Sequence, residues 1–335
     1  MPGQRRGWPG SLALEFDLGI KLVRTLDIFS GGGGSSCGAR LAGAEIICGI
    51  DLDRIATATY QDNFPRATVL NAALEQVNVR KLHNTIGEID LLLASPECTN
   101  HTCAKGSAPR SEESRATAMQ TLRFAREFKP RWIILENVVH MRPWSRYGEL
   151  TAALTKLGYY VSEAVLDASD FGVPQKRRRL FIICDLEAEV TTIKPSRKAK
   201  RSARTILDKS GTWPTTPLFS PKRAKPTLER AERGFAGVGR DESFLLVYYG
   251  TDGGGGWQTL DNPLRTITTV DRFALVEPSK SGHQMRMLQV SELRRAMGFE
   301  RDFEMNHGSR REKIKLLGNG VCPPVMKTIV SQITA

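Results

Sequence analysis

The chain has 335 residues, and 48 Lys and Arg against 36 Asp and Glu give it a net charge of +12. At roughly 100–200 residues per domain this length accommodates one large domain and a smaller module, while no apolar stretch approaches the roughly 18–20 residues of a membrane span. Six cysteines without a C-x-x-C pair exclude a disulfide framework and a paired zinc knuckle, so free thiols in a soluble intracellular protein are expected.

Residues 1–20, "MPGQRRGWPGSLALEFDLGI", mix Gly, Pro and charge without periodicity and read as a flexible extension. The apolar "SLAL" is too short for a signal peptide and is followed too soon by Glu15 and Asp17. From Val23 onward, short apolar runs alternate with longer amphipathic stretches. "VRTLDIF", "AEIICGID", "DLLLAS", "RWIILEN", "YVSEAVLD" and "RRLFIIC" are predicted strands. The segment 111–129 is a predicted helix, with Ser111 and two glutamates at its start and Ala118, Leu122 and Ala125 on one face. Strands alternating with helices predict an α/β fold with a mostly parallel sheet covered on both sides.

The regularity stops after Cys184. Residues 190–245 carry "KPSRKAKRSAR", "WPTTPLFSPKRAKPT" and "GFAGVGR", the composition of a small irregular module. Residues 174–240 hold 17 Lys and Arg against 6 Asp and Glu, so a net +11 sits in one fifth of the chain. Such a block attracts a polyanion, with nucleic acid the default partner and a basic linker the plain alternative. Beyond it come an apolar run turning at glycines, "FLLVYYGTDGGGGW", a helix-like "SELRRAMGF", and the turn-then-helix "LLGNGVCPPVMKTIV".

Three local patterns carry chemistry. "TLDIFSGGGGSSCGAR" sets a glycine turn between a buried strand and a helix starting near Ser35, and the next strand ends in Asp51 and Asp53, where a carboxylate commonly meets a ribose. The P-loop spacing from Gly33 to Gly38 lacks its Lys-Ser/Thr, and the dinucleotide spacing meets Ser36 or Cys37 in place of the third glycine. S-adenosylmethionine, which has no pyrophosphate to cradle, suits the turn better; the alternative is a tight packing turn. "DLLLAS" delivers Pro96-Glu97-Cys98 to a strand end, and "RWIILEN" delivers Glu136-Asn137 to the same edge. This pairs a thiol with a carboxyl as nucleophile and general acid. "QKRRRLF" begins a further strand with Arg177, Arg178 and Arg179, donors for a carbonyl or for phosphates. The competing readings are a buried structural Cys98, a zinc site from Cys98, His101, Cys103 and His140, and a Glu136 that caps a helix.

The order of these motifs resembles the DNA cytosine-5 methyltransferase family over about residues 22–330. "DIFSGGGG" is similar to its first cofactor motif, "LENV" (135–138) to its glutamate motif, "QKRRR" to its arginine motif and "GNGVCPP" (318–324) to its last. The chain departs from the family at Glu97-Cys98-Thr99, where Pro-Cys-Gln is usual, and at Asn71, where an aspartate is expected. The resemblance implies an S-adenosylmethionine-dependent, Rossmann-like catalytic domain over 21–185 and 263–335, with a target-recognition domain over 186–262. It implies Cys98 as nucleophile, Glu136 as proton donor to the base, Arg179 on the carbonyl at position 2, and Arg177 supporting the same side. Cofactor contacts are implied for Asp27, Phe29, Ser30, Gly31, Gly33, Asp51, Leu52, Asn71, Pro96, Asn319 and Val321. Phe29 and Leu52 would pack the adenine and Asp51 would take the ribose. DNA contacts are implied for Thr99, His101, Lys105, Arg178 and Thr268, the last in "RTITT" (265–269), which otherwise reads as a plain strand.

No metal is expected. The implied partner is double-stranded DNA, bound by a monomer in a bacterial or phage-encoded, cytoplasmic and nucleoid-associated setting, with a cognate restriction endonuclease acting separately. An RNA pyrimidine C5-methyltransferase and a catalytically silent DNA-binding relative remain alternatives. An amino-group methyltransferase needs a Pro-Pro-aromatic signature that "SPEC" lacks.

Overall fold

The computed structural model describes residues 22–96, 117–195, 199–249 and 254–335. The expected N-terminal extension, and Glu97, Cys98, Thr99, His101, Cys103 and Lys105, lie outside them.

The larger sheet is built from β1 (Arg24–Ile28), β2 (Glu45–Asp51), β3 (Thr68–Asn71), β4 (Leu91–Ala94), β5 (Trp132–Asn137), β6 (Tyr160–Asp167) and β7 (Arg178–Asp185). Its strand order is β3-β2-β1-β4-β5-β7-β6, with β7 antiparallel to both neighbours and the other pairings parallel. The predicted α/β class with a mostly parallel sheet is thus the observed one. Leu91, Leu92 and Leu93 on β4, and Ile133, Ile134 and Leu135 on β5, have no exposed surface. Alternation sends Leu91, Leu93 and Ile134 into the core on one face, and Leu92, Ile133 and Leu135 into the core on the other. Continuous apolar runs are what a sheet covered on both faces requires, each such side chain contributing about 1.5–3 kcal/mol.

Helices α1 (Gly34–Leu41), α2 (Arg54–Asn63), α3 (Val79–Ile86), α4 (Thr121–Phe128) and α5 (Tyr147–Lys156) connect these strands. Helix α2 starts where the Asp53 carboxylate accepts from the Ile55 and Ala56 amides, a side-chain cap on otherwise unpaired N–H groups. Within the predicted helix 111–129, Thr117–Gln120 form a 3₁₀ turn and Thr121–Phe128 an α-helix, and residues 111–116 lie outside the described range. Ala118, Leu122 and Ala125 are buried, as the periodicity predicts.

The basic module is more regular and reaches further than its composition implies. Strands β8 (Thr216–Pro217), β9 (Phe244–Val247), β10 (Trp257–Thr259), β11 (Phe273–Glu277) and β12 (Gln284–Met287) form a five-stranded antiparallel sheet ordered β10-β9-β11-β12-β8. The boundary expected at 262 therefore falls inside this unit, because β11 pairs with β9 and β12 pairs with β8. "GFAGVGR", read as irregular, supplies the end of α6 (Lys225–Val238). Gly234 and Gly237 admit neighbouring rings: a Cβ on either would lie 2.2 Å from Phe244 or Trp257, respectively.

Helices α7 (Val290–Ala296), α8 (Arg310–Asn319) and α9 (Pro323–Ile333) complete the chain. Glu292 on α7, fully buried, accepts from Arg286 on β12 at 2.7 and 2.8 Å and from the Asp208 amide at 2.9 Å, which fastens the small sheet to the large domain. The start of the expected recognition domain also packs back on the large one, through Lys194 to Gln332 and Asp208 to Arg295.

Candidate active site

A cavity of about 430 Å³ opens at the C-terminal ends of β1, β2, β4 and β5, the edge where ligands bind in open α/β sheets. One half is the glycine turn. Phe29 has φ 56° and Gly31 φ 53°, both left-handed, and for a phenylalanine this costs about 1–3 kcal/mol. The turn is held from beneath: the Ser30 amide donates to Ile50 O at 3.0 Å, and the Gly31 amide to Asp51 Oδ2 at 2.8 Å. Asp51 Oδ1 accepts from the Asp53 amide at 2.8 Å. Burial raises the Asp51 carboxyl above the usual range, while these two amides and Lys315 pull it back.

The other half is Glu136, at the end of β5, with Arg179 from β7. Glu136 is 5% exposed, and its Oε1 lies 3.1 Å from Arg179 Nε. Burial raises its pKa, and the Arg179 and Arg177 guanidiniums draw it partly down. Asn137 Nδ2 donates to Pro96 O at 3.2 Å and so ties the end of β4 beside Glu136.

Of the predicted cofactor residues, Phe29, Ser30, Gly31, Asp51, Leu52, Pro96, Asn319 and Val321 line this cavity. Asp27, Gly33 and Asn71 stand behind the wall. Asn71 Nδ2 donates to the Asp51 and Leu52 carbonyls at 3.2 and 2.8 Å, so it braces the acidic strand end from outside the cavity. Strand alternation turns Arg178 away from Arg177 and Arg179, and the latter two differ in what they contact. Arg179 lines the cavity, Arg178 is exposed outside it, and Arg177 is 2% exposed. Arg177 donates to the carbonyls of Ile267, Gly318 and Gly320 at 3.0, 2.7 and 2.8 Å, and so braces two chain segments behind the wall. "RTITT" is not a strand. Its Ile267 amide and carbonyl are taken by Gln175 and Arg177, and its partly exposed Thr268 abuts Gly318, where a Cβ would meet the Thr268 carbonyl at 2.4 Å.

Several wall residues escaped sequence reasoning. Phe299, Phe303 and Met305 come from the loop after α7, and Ala72, Ala73 and Glu75 from the turn after β3. Lys315 lies at the rim, with Nζ 3.3 Å from Asp53 Oδ2. None stands in a local pattern that announces a ligand.

The cavity fits S-adenosylmethionine on two observations. Ser30 Oγ, on the wall, is buried without a hydrogen-bond partner among the described residues, which asks for a polar ligand. Leu52 is 69% exposed at the same wall as Phe29, giving apolar surface for a purine.

The family model for the C-5 cytosine-specific DNA methylases matches residues 23–335. The Type II methyltransferase M.HgiDI of Herpetosiphon aurantiacus is 30% identical over 230 residues, which cover 63% of this chain and 72% of the relative. M.AgeI of Thalassovita gelatinovora is 28% identical over 59% of this chain and 48% of its own length, so the chain spans about half of that relative. The Entamoeba histolytica methyltransferase EhMeth shares the fold with a TM-score of 0.67 at 17% identity, over 94% of this chain and 98% of that one. With the family matched across nearly the whole sequence, the chain belongs to the C-5 cytosine-specific DNA methylases, which depend on S-adenosylmethionine.

Proposed function

We propose that this methylase modifies carbon 5 of a cytosine flipped out of double-stranded DNA, within a short target sequence, through a transient bond to Cys98. The observation that carries the reading is a buried Glu136, paired with Arg179 at 3.1 Å, in the same cavity as the glycine turn. S-adenosylmethionine supplies an electrophilic methyl group when bound, held by Phe29, Leu52, Asp51 and Asn319. Carbon 5 of cytosine is a poor nucleophile until a thiolate adds at carbon 6. Cys98 makes that bond as Glu136 gives its proton to ring nitrogen 3, and the ring becomes enamine-like. Arg179 exchanges its contact with Glu136 for the carbonyl at position 2. After carbon 5 has been methylated, loss of its proton and expulsion of the Cys98 thiolate restore the ring, and the nitrogen-3 proton returns to Glu136. The raised Glu136 pKa serves this step, because a carboxyl must keep its proton near neutral pH to donate it.

Cys98 lies outside the described residues, and its assignment rests on its place two residues after Pro96, which is tied to Asn137 beside Glu136. Arg177 acts as a positioning residue through the carbonyls it binds. Flipping costs a few kcal/mol, offset by contacts from Thr99, His101, Lys105, Arg178 and Thr268 and from the small antiparallel domain. The Type II names of the relatives favour a bacterial restriction-modification setting, with a separate endonuclease for the same target.

The test is trapping. A duplex bearing 5-fluorocytosine, incubated with protein and S-adenosylmethionine, should yield a covalent complex that Cys98→Ala abolishes while DNA and cofactor binding survive. Capture on an RNA substrate alone would transfer the reading to an RNA methyltransferase. DNA binding without capture would mark a silent relative.

A further inference from the structure

Behind the glycine turn lies a group of polar side chains that touches neither cavity nor solvent. Asp27 on β1, Ser36 on α1 and Tyr60 on α2 have no exposed surface. Ser36 Oγ is 2.6 Å from Asp27 Oδ2 and 2.7 Å from the Tyr60 hydroxyl. A serine hydroxyl has one proton; Ser36 gives it to Asp27, so the Tyr60 hydroxyl donates to Ser36. The tyrosine ring fills space left by two absent side chains, since a Cβ on Gly49 would lie 2.4 Å from it and one on Gly33 3.1 Å. Through this chain α2 grips both the turn and the strand beneath it. Asp27 Oδ1 has no donor among the described residues.

We propose that Tyr60 and Ser36 are positioning residues for the cofactor turn, acting through Asp27, and that charge on Asp27 makes the site prefer the sulfonium cofactor to its thioether product. This rests on the cofactor assignment alone and is independent of the base-flipping reading. The groups facing Asp27 are few: Asp51 and the Cys48 thiol from β2, Ser36 from α1 and Tyr60 from α2, with Arg40 acting on Tyr60. Its register partner on β4, Leu93, is apolar. Burial pushes the Asp27 carboxyl up to about 7; the Ser36 hydroxyl and amide pull it back, and Asp51 raises it further. Raising the pH through that value puts a negative charge into a low-dielectric region next to the turn. The cofactor carries one more positive charge than S-adenosylhomocysteine, so its relative affinity rises with pH.

Calorimetry of S-adenosylmethionine and S-adenosylhomocysteine binding, between about pH 6 and about pH 8, tests this directly. Asp27→Asn keeps the shape without the charge and retains any titration of the ligands themselves. The product-to-cofactor ratio of Kd in wild type, divided by that in Asp27→Asn, is expected to rise about fivefold across the range. Tyr60→Phe keeps the ring and removes the donor; it should weaken both ligands about fivefold and move the midpoint upward, because the Asp27 carboxylate loses support from the chain. Ser36→Ala should move it further. Superimposable ratio profiles for wild type and Asp27→Asn, or a Tyr60→Phe protein with wild-type affinities and midpoint, would overturn the proposal.

Discussion

Asp51 and Glu136 line the cavity from opposite halves of the sheet, and they are held by different kinds of donor. Asp51 is fixed by backbone amides, from Gly31 and Asp53, that belong to the turns on either side of it. Glu136 is met by a guanidinium at the end of a long side chain. Backbone donors cannot leave without unfolding the turn, so the Asp51 half is preorganised for one ligand geometry. An arginine can exchange partners with a small rotation, so the Glu136 half can change its contacts and its protonation during a reaction. On the function proposed above, binding and chemistry are divided between the two ends of one cavity, and substitutions should separate Kd from kcat.

The largest effect is expected at Glu136. Glu136→Gln keeps the shape and removes the proton, and kcat for methyl transfer to DNA should fall about 10²–10³-fold while cofactor Kd stays within about twofold. The pH profile sharpens the test. Because burial raises the Glu136 pKa, its acid form persists above the usual glutamate range, and kcat should decline only as pH climbs through that raised value. The glutamine variant should lack this limb. Loss of cofactor affinity of comparable size would mean that the two halves are not separate.

Asp51→Ala should show the reverse pattern. It removes the proposed ribose acceptor and also leaves the Gly31 and Asp53 amides without their carboxylate, so cofactor Kd should rise about 30-fold, close to 2 kcal/mol, with kcat at saturating cofactor changed about threefold or less. Calorimetry and steady-state kinetics on the same preparation check both numbers. A fall in kcat at unchanged Kd would place Asp51 in the chemistry.

What the sequence shows of this division is the part written in local patterns. Apolar runs mark β1, β2, β4, β5 and β7 because a sheet buried on both faces needs them. The glycine turn, Glu136 and the arginine cluster stand at strand ends that those runs define. The choice among Arg177, Arg178 and Arg179 is not local. It depends on strand alternation and on carbonyls 90 to 143 residues further along, at Ile267, Gly318 and Gly320. The extent of the small domain is hidden for a similar reason. Gly234 and Gly237 read as helix breakers, yet they sit in α6 because the Phe244 and Trp257 rings need the space, and β11 and β12 join the sheet by pairing with strands far upstream. The Ser36–Tyr60 link is equally silent in sequence, since neither residue belongs to a ligand pattern until α2 is folded against the turn.

Asn71 gives the smallest effect and the finest test of where the cofactor half ends. Its amide spans the Asp51 and Leu52 carbonyls from outside the cavity, and the contact is open to solvent. Water can replace most of what Asn71→Ala removes, so only the added freedom of the Asp51–Leu52 turn should be felt. Cofactor Kd should rise about threefold, in keeping with a net hydrogen-bond contribution of about 0.5–1 kcal/mol, and kcat should not change. An effect as large as that of Asp51→Ala would put the Asn71 side chain in direct contact with the cofactor, as its place in the sequence had implied, and would move the boundary of the preorganised half outward to β3.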